Sequence, residues 1–415
     1  MKRWHSMLML AIVSCSVTAM EAGIPTPADL PPTDQVAILL RQDPSVQEAL
    51  AHASGASHVA GMLRASPHEW TVKASGQQRR YEAGPTSREW AAQLERTIRL
   101  PGKKALDREL GDLEIELADA RLDEAVHEAA RDLMELWMSW LHAEQTHVLI
   151  AAQERVAQAN LDAARKRQRA GDASMLEVNV AAGDAAEIGR QLAAAQADAG
   201  KARARLDIRF PGVLPATPPA LGQPQALATT EPAWRERIVA TSDPLRIAEL
   251  EQRKASQQTE RVRADRLPDP TVGVFTASEF FGRERVIGLS LSIPLPGGYR
   301  REHLGKALAG IDAAAAARDR VRRMIDTEIA EACADASSNH TRWQLAEEGA
   351  RNAGDTARLT RRAYTLGEAD VQTLLLAQRQ SMEASRSALD ARVLALRAYY
   401  RLLIDAHRIW GLSHE

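Results

Sequence analysis

Across residues 103–209 apolar positions recur at helical spacing and no proline interrupts them. Leu133, Leu136, Trp137, Trp140, Leu141 and Val148 fall three or four residues apart or at multiples of that step, which places them on one stripe of a helix. Only Gly171-Asp172-Ala173-Ser174 breaks the run, a glycine suited to a left-handed C-cap followed by Asp and Ser suited to an N-cap. The pattern predicts a helix over 103–170, a sharp turn at Gly171 and a returning helix over 174–209. At about 1.5 Å per residue the first arm spans roughly 100 Å and the second about 54 Å. The far half of the long arm therefore needs another partner.

On either side of this hairpin the period changes. Residues 24–32 are proline-rich and read as an extended lead-in, and 33–65 carry a helical pattern (Val36, Leu39, Leu40, Val46, Leu50) that runs through Pro44. Residues 69–76 read as a strand, 77–88 as a polar loop and 90–100 as a second strand. In that second strand Trp90, Ala92, Leu94 and Ile98 share one face and Gln93, Glu95, Thr97 and Arg99 the other, with Arg96 interrupting the apolar side. After a proline-dense stretch at 211–232, a helix of about 33 residues leads to Leu267-Pro268, then a strand over 271–278, a loop over 279–284 and a strand over 285–294. The last strand sets Ile287, Leu289, Leu291 and Ile293 against Val286, Gly288, Ser290 and Ser292. One continuous aliphatic face opposite a small or polar one is the pattern of a lipid-facing membrane strand. A second helical hairpin follows over 299–410, turning at Gly367-Glu368-Ala369-Asp370.

These parts form an internal duplication. Asp43-Pro44 answers to Asp243-Pro244 (offset 200), Leu100-Pro101-Gly102 to Leu295-Pro296-Gly297 (195), Arg165 and Gly171 to Arg361 and Gly367 (196), and Phe210 to Ile409 (199). Four landmarks holding within five residues mark two repeats, 23–210 and 233–415, joined by the linker 211–232. In each repeat two shorter helices set end to end match the one long helix. Strands then gather at one end and glycine turns at the other, with the linker and termini at mid-height. The expected fold is mainly α with a small membrane β part.

Composition agrees with thin, close-packed helices. The 415 residues are 45% hydrophobic but only 4% aromatic, which suits alanine-rich helix contacts better than a bulky core. Net charge is -2, from 53 basic and 55 acidic residues, and gives no pull toward nucleic acid. Lys2 and Arg3 precede an apolar stretch and small residues, as in a secretion signal over 1–22. Ile12-Val13-Ser14-Cys15 resembles a lipobox that would leave a lipidated Cys15, whereas Val17-Thr18-Ala19 and Met20-Glu21-Ala22 fit ordinary cleavage. Past this leader no run of 18 apolar residues occurs, so a membrane-spanning part must be built of strands. Four strands per chain fall short of the roughly eight a closed barrel needs. Several chains must then share one barrel, and counting alone allows two or three.

Catalytic chemistry is not evident: no nucleophile motif, phosphate loop or dinucleotide fingerprint occurs. Of the 11 histidines, His142 with His147 and His52 with His58 lie close in sequence, but neither pair has the i, i+4 spacing of a helical zinc site. The expectation is no catalytic residue, no metal site and no cofactor. The two cysteines, Cys15 and Cys333, allow no disulfide framework in the mature chain.

The duplication, the junctions RTIRLPGKKALDREL and SLSIPLPGGYRREHL, and the paired turn motifs ARKRQRAGDASMLEV and TRRAYTLGEADVQTL resemble the TolC-type outer-membrane efflux proteins over nearly the whole mature chain. The LPGKK junction is most similar to the heavy-metal (cation) efflux branch. The resemblance implies a homotrimer in outer-membrane lipid, with a shared 12-stranded β-barrel and a long periplasmic α-barrel. It implies an exit duct served by a periplasmic membrane-fusion adaptor and an inner-membrane pump of the resistance-nodulation-division type. It places adaptor docking and the gate at Arg165, Gly171, Asp172, Ser174, Glu177, Arg361, Gly367, Glu368 and Asp370. Members of the family constrict the tunnel with aspartates just after the second tip glycine; Thr373 and Leu376 stand there in this chain, and Asp370 and Glu177 are the acidic substitutes. Two other readings are a periplasmic adaptor, against which the duplication argues, and a coiled-coil rod without a barrel, which has no use for the aliphatic strand face.

Overall fold

The computed structural model describes residues 25–411; the expected leader, with Cys15 and both cleavage readings, lies outside them. The chain runs α1 (Thr33–Gln42), α2 (Pro44–Ala65), β1 (Thr71–Arg80), β2 (Thr86–Thr97), α3 (Pro101–Ala170) and α4 (Met175–Arg209). The second repeat follows as α5 (Glu231–Ala240), α6 (Asp243–Ala264), β3 (Thr271–Glu279), β4 (Glu284–Ser292), α7 (Gly298–Thr365) and α8 (Val371–Asp405). The 70 residues of α3 and 68 of α7 make helices about 100 Å long.

Several boundaries differ from expectation, each for a local reason. The helix expected over 33–65 breaks at Asp43, which is extended and accepts a hydrogen bond from the Ser45 N–H at 2.9 Å. Pro44 is therefore a first-turn proline, where its missing N–H costs nothing, rather than one tolerated mid-helix. The second repeat breaks likewise between α5 and α6, where Ser242 caps Leu245. Residues 77–80 and 86–88, expected as loop, are strand, because polar side chains such as Gln77 and Glu89 face each other across the β1–β2 ladder. Conversely β4 stops at Ser292, short of Ile293, and α8 ends at Asp405 rather than 410. Val148 leaves the stripe of its helix and is exposed.

α3 is the central post. It packs on α2 at one end, where Gly111 lies so close to Ala60 that a Cβ would sit 3.0 Å from its Cα, and on α4 at the other, through Ile150, Ala157 and Leu161 against Ala181, Ala185 and Ile188. Its other side meets α6 and α8, and these in turn pack on α7. The result is a row of four columns: α2 with α4, then α3, then α6 with α8, then α7. The antiparallel sheet at one end has the same order, β1-β2-β3-β4. The pairing of β2 with β3, Trp90 opposite Ser278 through Thr97 opposite Thr271, joins the two repeats.

Register sorts the sheet into two faces. One carries Val72, Leu94, Val274 and Leu289 side by side in a row across all four strands; Leu289 and Ile287 are 83% and 85% exposed. Arg96, on this face, turns to the backbone, donating to the His68 carbonyl and covering the Trp70 ring. The opposite face is polar: Lys73 pairs with Glu95 at 2.5 Å, Gln93 donates to Ser290, and the Thr97 and Thr271 hydroxyls meet at 2.8 Å. Gly273 and Gly288 leave room on this face, the ring of Phe275 lying where a Gly288 Cβ would stand, 2.5 Å from Cζ.

The main core sits at mid-height, where α1, the linker and the end of α8 close around Leu133, Met134, Trp137, Trp140 and Leu141. Asp29 ties it together. Its carboxylate accepts from the Tyr400 hydroxyl at 2.6 Å and the Gly222 N–H at 2.8 Å, and its carbonyl accepts from Trp137 Nε1 at 2.7 Å. Burial, and the Asp29 charge after it, raise the Tyr400 phenol well above its ordinary range. Asp29→Ala strands a buried hydroxyl and an N–H, and is expected to cost about 3 kcal/mol as a fall in chemical-denaturation midpoint, with Asp29→Asn intermediate. Gly288→Val is expected to displace Phe275 and to reduce the oligomer that a shared barrel predicts, read as a slow band on unboiled gels that is lost on boiling; Gly310→Ala, whose Cβ meets nothing within 4 Å, serves as the neutral control.

Candidate functional site

The turns that end the two hairpins lie side by side at the end of the columns opposite the sheet. In the first, Gly171 adopts φ +87° and its N–H bonds to the Gln168 carbonyl, while the Asp172 N–H reaches the Arg167 carbonyl at 2.9 Å. This closure satisfies the last carbonyls of α3 and needs a residue free of a Cβ penalty. Ser174 then caps α4, accepting from the Glu177 N–H at 3.2 Å. In the second turn Gly367 takes φ +79°, Glu368 N–H bonds to the Ala363 carbonyl at 2.9 Å, and Asp370 caps α8 through the Thr373 N–H at 2.7 Å. That hydrogen bond, with the Thr373 hydroxyl, holds the Asp370 carboxyl below its ordinary value.

A groove of about 380 Å³ separates the turns, lined among others by Arg167, Glu177, Tyr364, Asp370 and Gln372. The structure thus brings Ser174, Glu177, Gly367 and Asp370 to one place. Arg165 instead points outward toward Asp162 of its own helix at 3.8 Å, and Arg361 is exposed. Asp172 contributes its carbonyl, and Glu368 is exposed. Thr373 and Leu376 are both exposed, Leu376 at 55%.

Arg167 is the residue the sequence reading missed. Its guanidinium donates to the Tyr364 hydroxyl at 2.6 Å and to the Asp172 carbonyl at 2.9 Å, and lies 3.7 Å from Glu177. One arginine therefore spans both turns. The signal was weak, since Arg165, Arg167 and Arg169 alternate and only the first recurs in the second repeat. Further along, the seam between the hairpins is polar: Asn160 donates to Gln378 at 2.7 Å, Arg379 pairs with Asp184 at 3.2 Å, and His142 meets Asp390 at 2.6 Å. Burial pushes the Asp184 carboxyl up despite Arg379.

Far from the turns, at mid-height, His127, Asp243 and His407 come within reach of one another, a grouping that local spacing could not disclose. Among the described residues no helix is long and apolar enough to cross a membrane, which leaves the strands untouched by that criterion.

Residues 234–403 match the sequence profile of the family "Outer membrane efflux protein". By structure the chain is similar to a membrane protein from Pseudomonas aeruginosa (TM-score 0.76, 17% identity, covering 92% of this chain and 94% of that one). It is also similar to the outer membrane protein VceC from Vibrio cholerae (0.72, 18%, 90% and 95%) and to the CmeC outer membrane channel of Campylobacter jejuni (0.70, 12%, 92% and 86%). No curated protein matches by sequence.

Arg167→Ala is expected to raise amide exchange about fivefold across residues 172–178 and 366–372, the equivalent of about 1 kcal/mol. Arg165→Ala is expected to leave both segments unchanged.

Proposed function

We propose that this chain is a member of the outer membrane efflux protein family, resides in the outer membrane and serves as the exit duct of a tripartite export system. The observation that carries the reading is the sheet: four antiparallel strands with one apolar and one polar face, open at both edges and set on helices about 100 Å long. Lipid offers no partner for the backbone groups of β1 and β4, so the edges close only against other copies. Because β1 and β4 run in opposite directions, β4 of one protomer meets β1 of the next as an antiparallel pair. Three copies give twelve strands. Ile287, Leu289, Leu291 and Ile293 then face lipid, and the Lys73–Glu95 and Gln93–Ser290 face lines water.

The family's channels are transport ducts rather than enzymes. Energy is left to an inner-membrane pump, of the resistance-nodulation-division type by the resemblance above, and a periplasmic adaptor docks on the turns. The groove between the two turns, with its mixed Arg167, Glu177 and Asp370 lining, supports that assignment. Ser174 and Asp370 keep the helix starts square to the groove, and Glu177 and Asp370 supply acid near the constriction in place of residues at Thr373 and Leu376. Heavy-metal cations are the favoured cargo class, on the similarity of the LPGKK junction alone.

The unboiled detergent-extracted protein is expected to migrate near three times the 45.4 kDa of the full chain and to collapse on boiling. A monomeric periplasmic species would instead support the coiled-coil rod. Single cysteines at Asp172 or Glu368, in a Cys333→Ser background, are expected to crosslink to a co-expressed adaptor. A cysteine at Arg320, about a third of the way along α7 from the sheet end, is the control. Adduct from Arg320→Cys alone would sink the docking assignment.

A further inference from the structure

At mid-height three elements remote in sequence converge: α3 through His127, the start of α6 through Asp243, and the turn after α8 through His407. One ligand-capable atom from each lies within 4.8 Å of the other two. His127 Nδ1 and His407 Nε2 face each other at 2.9 Å, with the rings 5.0 Å apart between centroids. Two nitrogens about 2.1 Å from a tetrahedral ion would stand about 3.4 Å apart, so a shift of half an ångström admits one. We propose that His127, His407 and Asp243 form a binding site for a divalent transition cation of the zinc class, which locks the end of the second repeat to the long helix of the first.

Three further features fit a ligand set better than a plain histidine pair. His127 turns its other nitrogen, Nε2, to Asp405 Oδ1 at 3.4 Å, and Asp405 is itself fixed by Arg131 Nε at 2.8 Å. A carboxylate behind a ligating imidazole orients the ring and raises its basicity. His407 adopts φ +49°, a left-handed backbone unfavourable for a side chain with a Cβ. That conformation directs its imidazole back toward His127 instead of continuing α8. The surroundings also offer oxygen donors: Glu124 Oε2 is buried without a hydrogen-bond partner, and it lines with His127, Asp243 and Asp405 a cavity of about 60 Å³ that also borders Arg131 and Arg401 and is large enough for a water.

The duplication supplies an internal comparison. In the first repeat the aspartate of Asp43-Pro44 meets Arg209, the last residue of α4, at 2.8 Å. In the second repeat the aspartate of Asp243-Pro244 lies within ligand reach of two imidazoles, one contributed by the opposite repeat. Two nitrogens and a carboxylate with a free position are the donors of an open zinc site. Such a site is distinct from the turn groove and does not rest on the duct reading.

The test uses untagged full-length protein in detergent, stripped with a chelator and titrated with zinc chloride against a chromophoric competitor, then with cobalt(II) chloride. One ion per chain is expected, with the visible bands of tetrahedral cobalt. His407→Asn and His127→Gln are each expected to weaken zinc binding at least tenfold, and Asp405→Asn tenfold to a hundredfold. His52→Asn, at an exposed histidine beside Glu48, is expected to change nothing. Both His407→Asn and His127→Gln are first shown to migrate as the wild type on unboiled gels; a variant that does not is replaced by Asp243→Asn. Failure of the wild type to take up one zinc per chain overturns the proposal, as does undiminished uptake by correctly assembled His407→Asn and His127→Gln. Transport is not part of the readout, so a failed duct assignment would leave this result unaffected.

Discussion

The unpaired edges of a four-stranded sheet govern the architecture. Each edge backbone group left in hydrocarbon costs several kcal/mol, and β1 and β4 each present a row of them. The sheet cannot cure this alone, since four strands cannot curl into a closed barrel. A heterologous contact that repeats around a ring cures it for every copy at once. That requirement reaches down into the helical part. Because each strand is continuous with one column (β1 after α2, β2 before α3, β3 after α6, β4 before α7), a ring of strands imposes a ring of columns in the same order.

The helices answer with asymmetric burial. α3, inside the row, buries residues from Lys103 to Ala164, whereas α7, at its edge, buries only Ile325, Ile329, Cys333 and Ala336. Yet α7 carries Leu308, Met324, Leu345 and Leu359 on exposed positions. α7 packs on α6 and α8 along one side and leaves those apolar residues uncovered within a single chain. In the proposed ring its cover is the outer column, α2 with α4, of the next protomer, the same neighbour that the β4 edge requires.

Much of this was legible because period and punctuation survive in the chain. The long helices, both glycine turns and the aliphatic face of β4 follow from spacing alone. What failed was the polar part of the sheet and the two proline breaks. Gln77 and Arg79 read as loop because polar residues in a strand make sense only once a water-facing side exists opposite the lipid-facing one. Asp43-Pro44 read as an interruption because an N-cap and a tolerated mid-helix proline look alike until the backbone turns. At the turns, Gly171 and Gly367 announced themselves through the helix-capping requirement, while Arg167 did not. Its partner, Tyr364, is 197 residues away. The same holds for His127 and His407, 280 residues apart. Residues that act by joining the repeats leave no trace in the pattern of either one.

The two kinds of seam differ in chemistry, and so in what they permit. Within the first hairpin α3 and α4 share an apolar contact of Ile150, Ala157, Leu161, Ala185 and Ile188; separating them exposes that surface to water at about 25 cal/mol per Å². Between the hairpins, from mid-height to the turns, the prominent contacts are Asn160–Gln378, Arg379–Asp184 and Arg167–Tyr364. Groups of that kind trade protein partners for water at a net cost near 1 kcal/mol each. Displacing the turns along the polar seam therefore costs less than separating α3 from α4. At mid-height the packed core around Trp137 and Trp140, pinned by Asp29, resists the same displacement. Rigidity is thus concentrated where the repeats and linker are sewn together, and compliance where the two glycine turns meet.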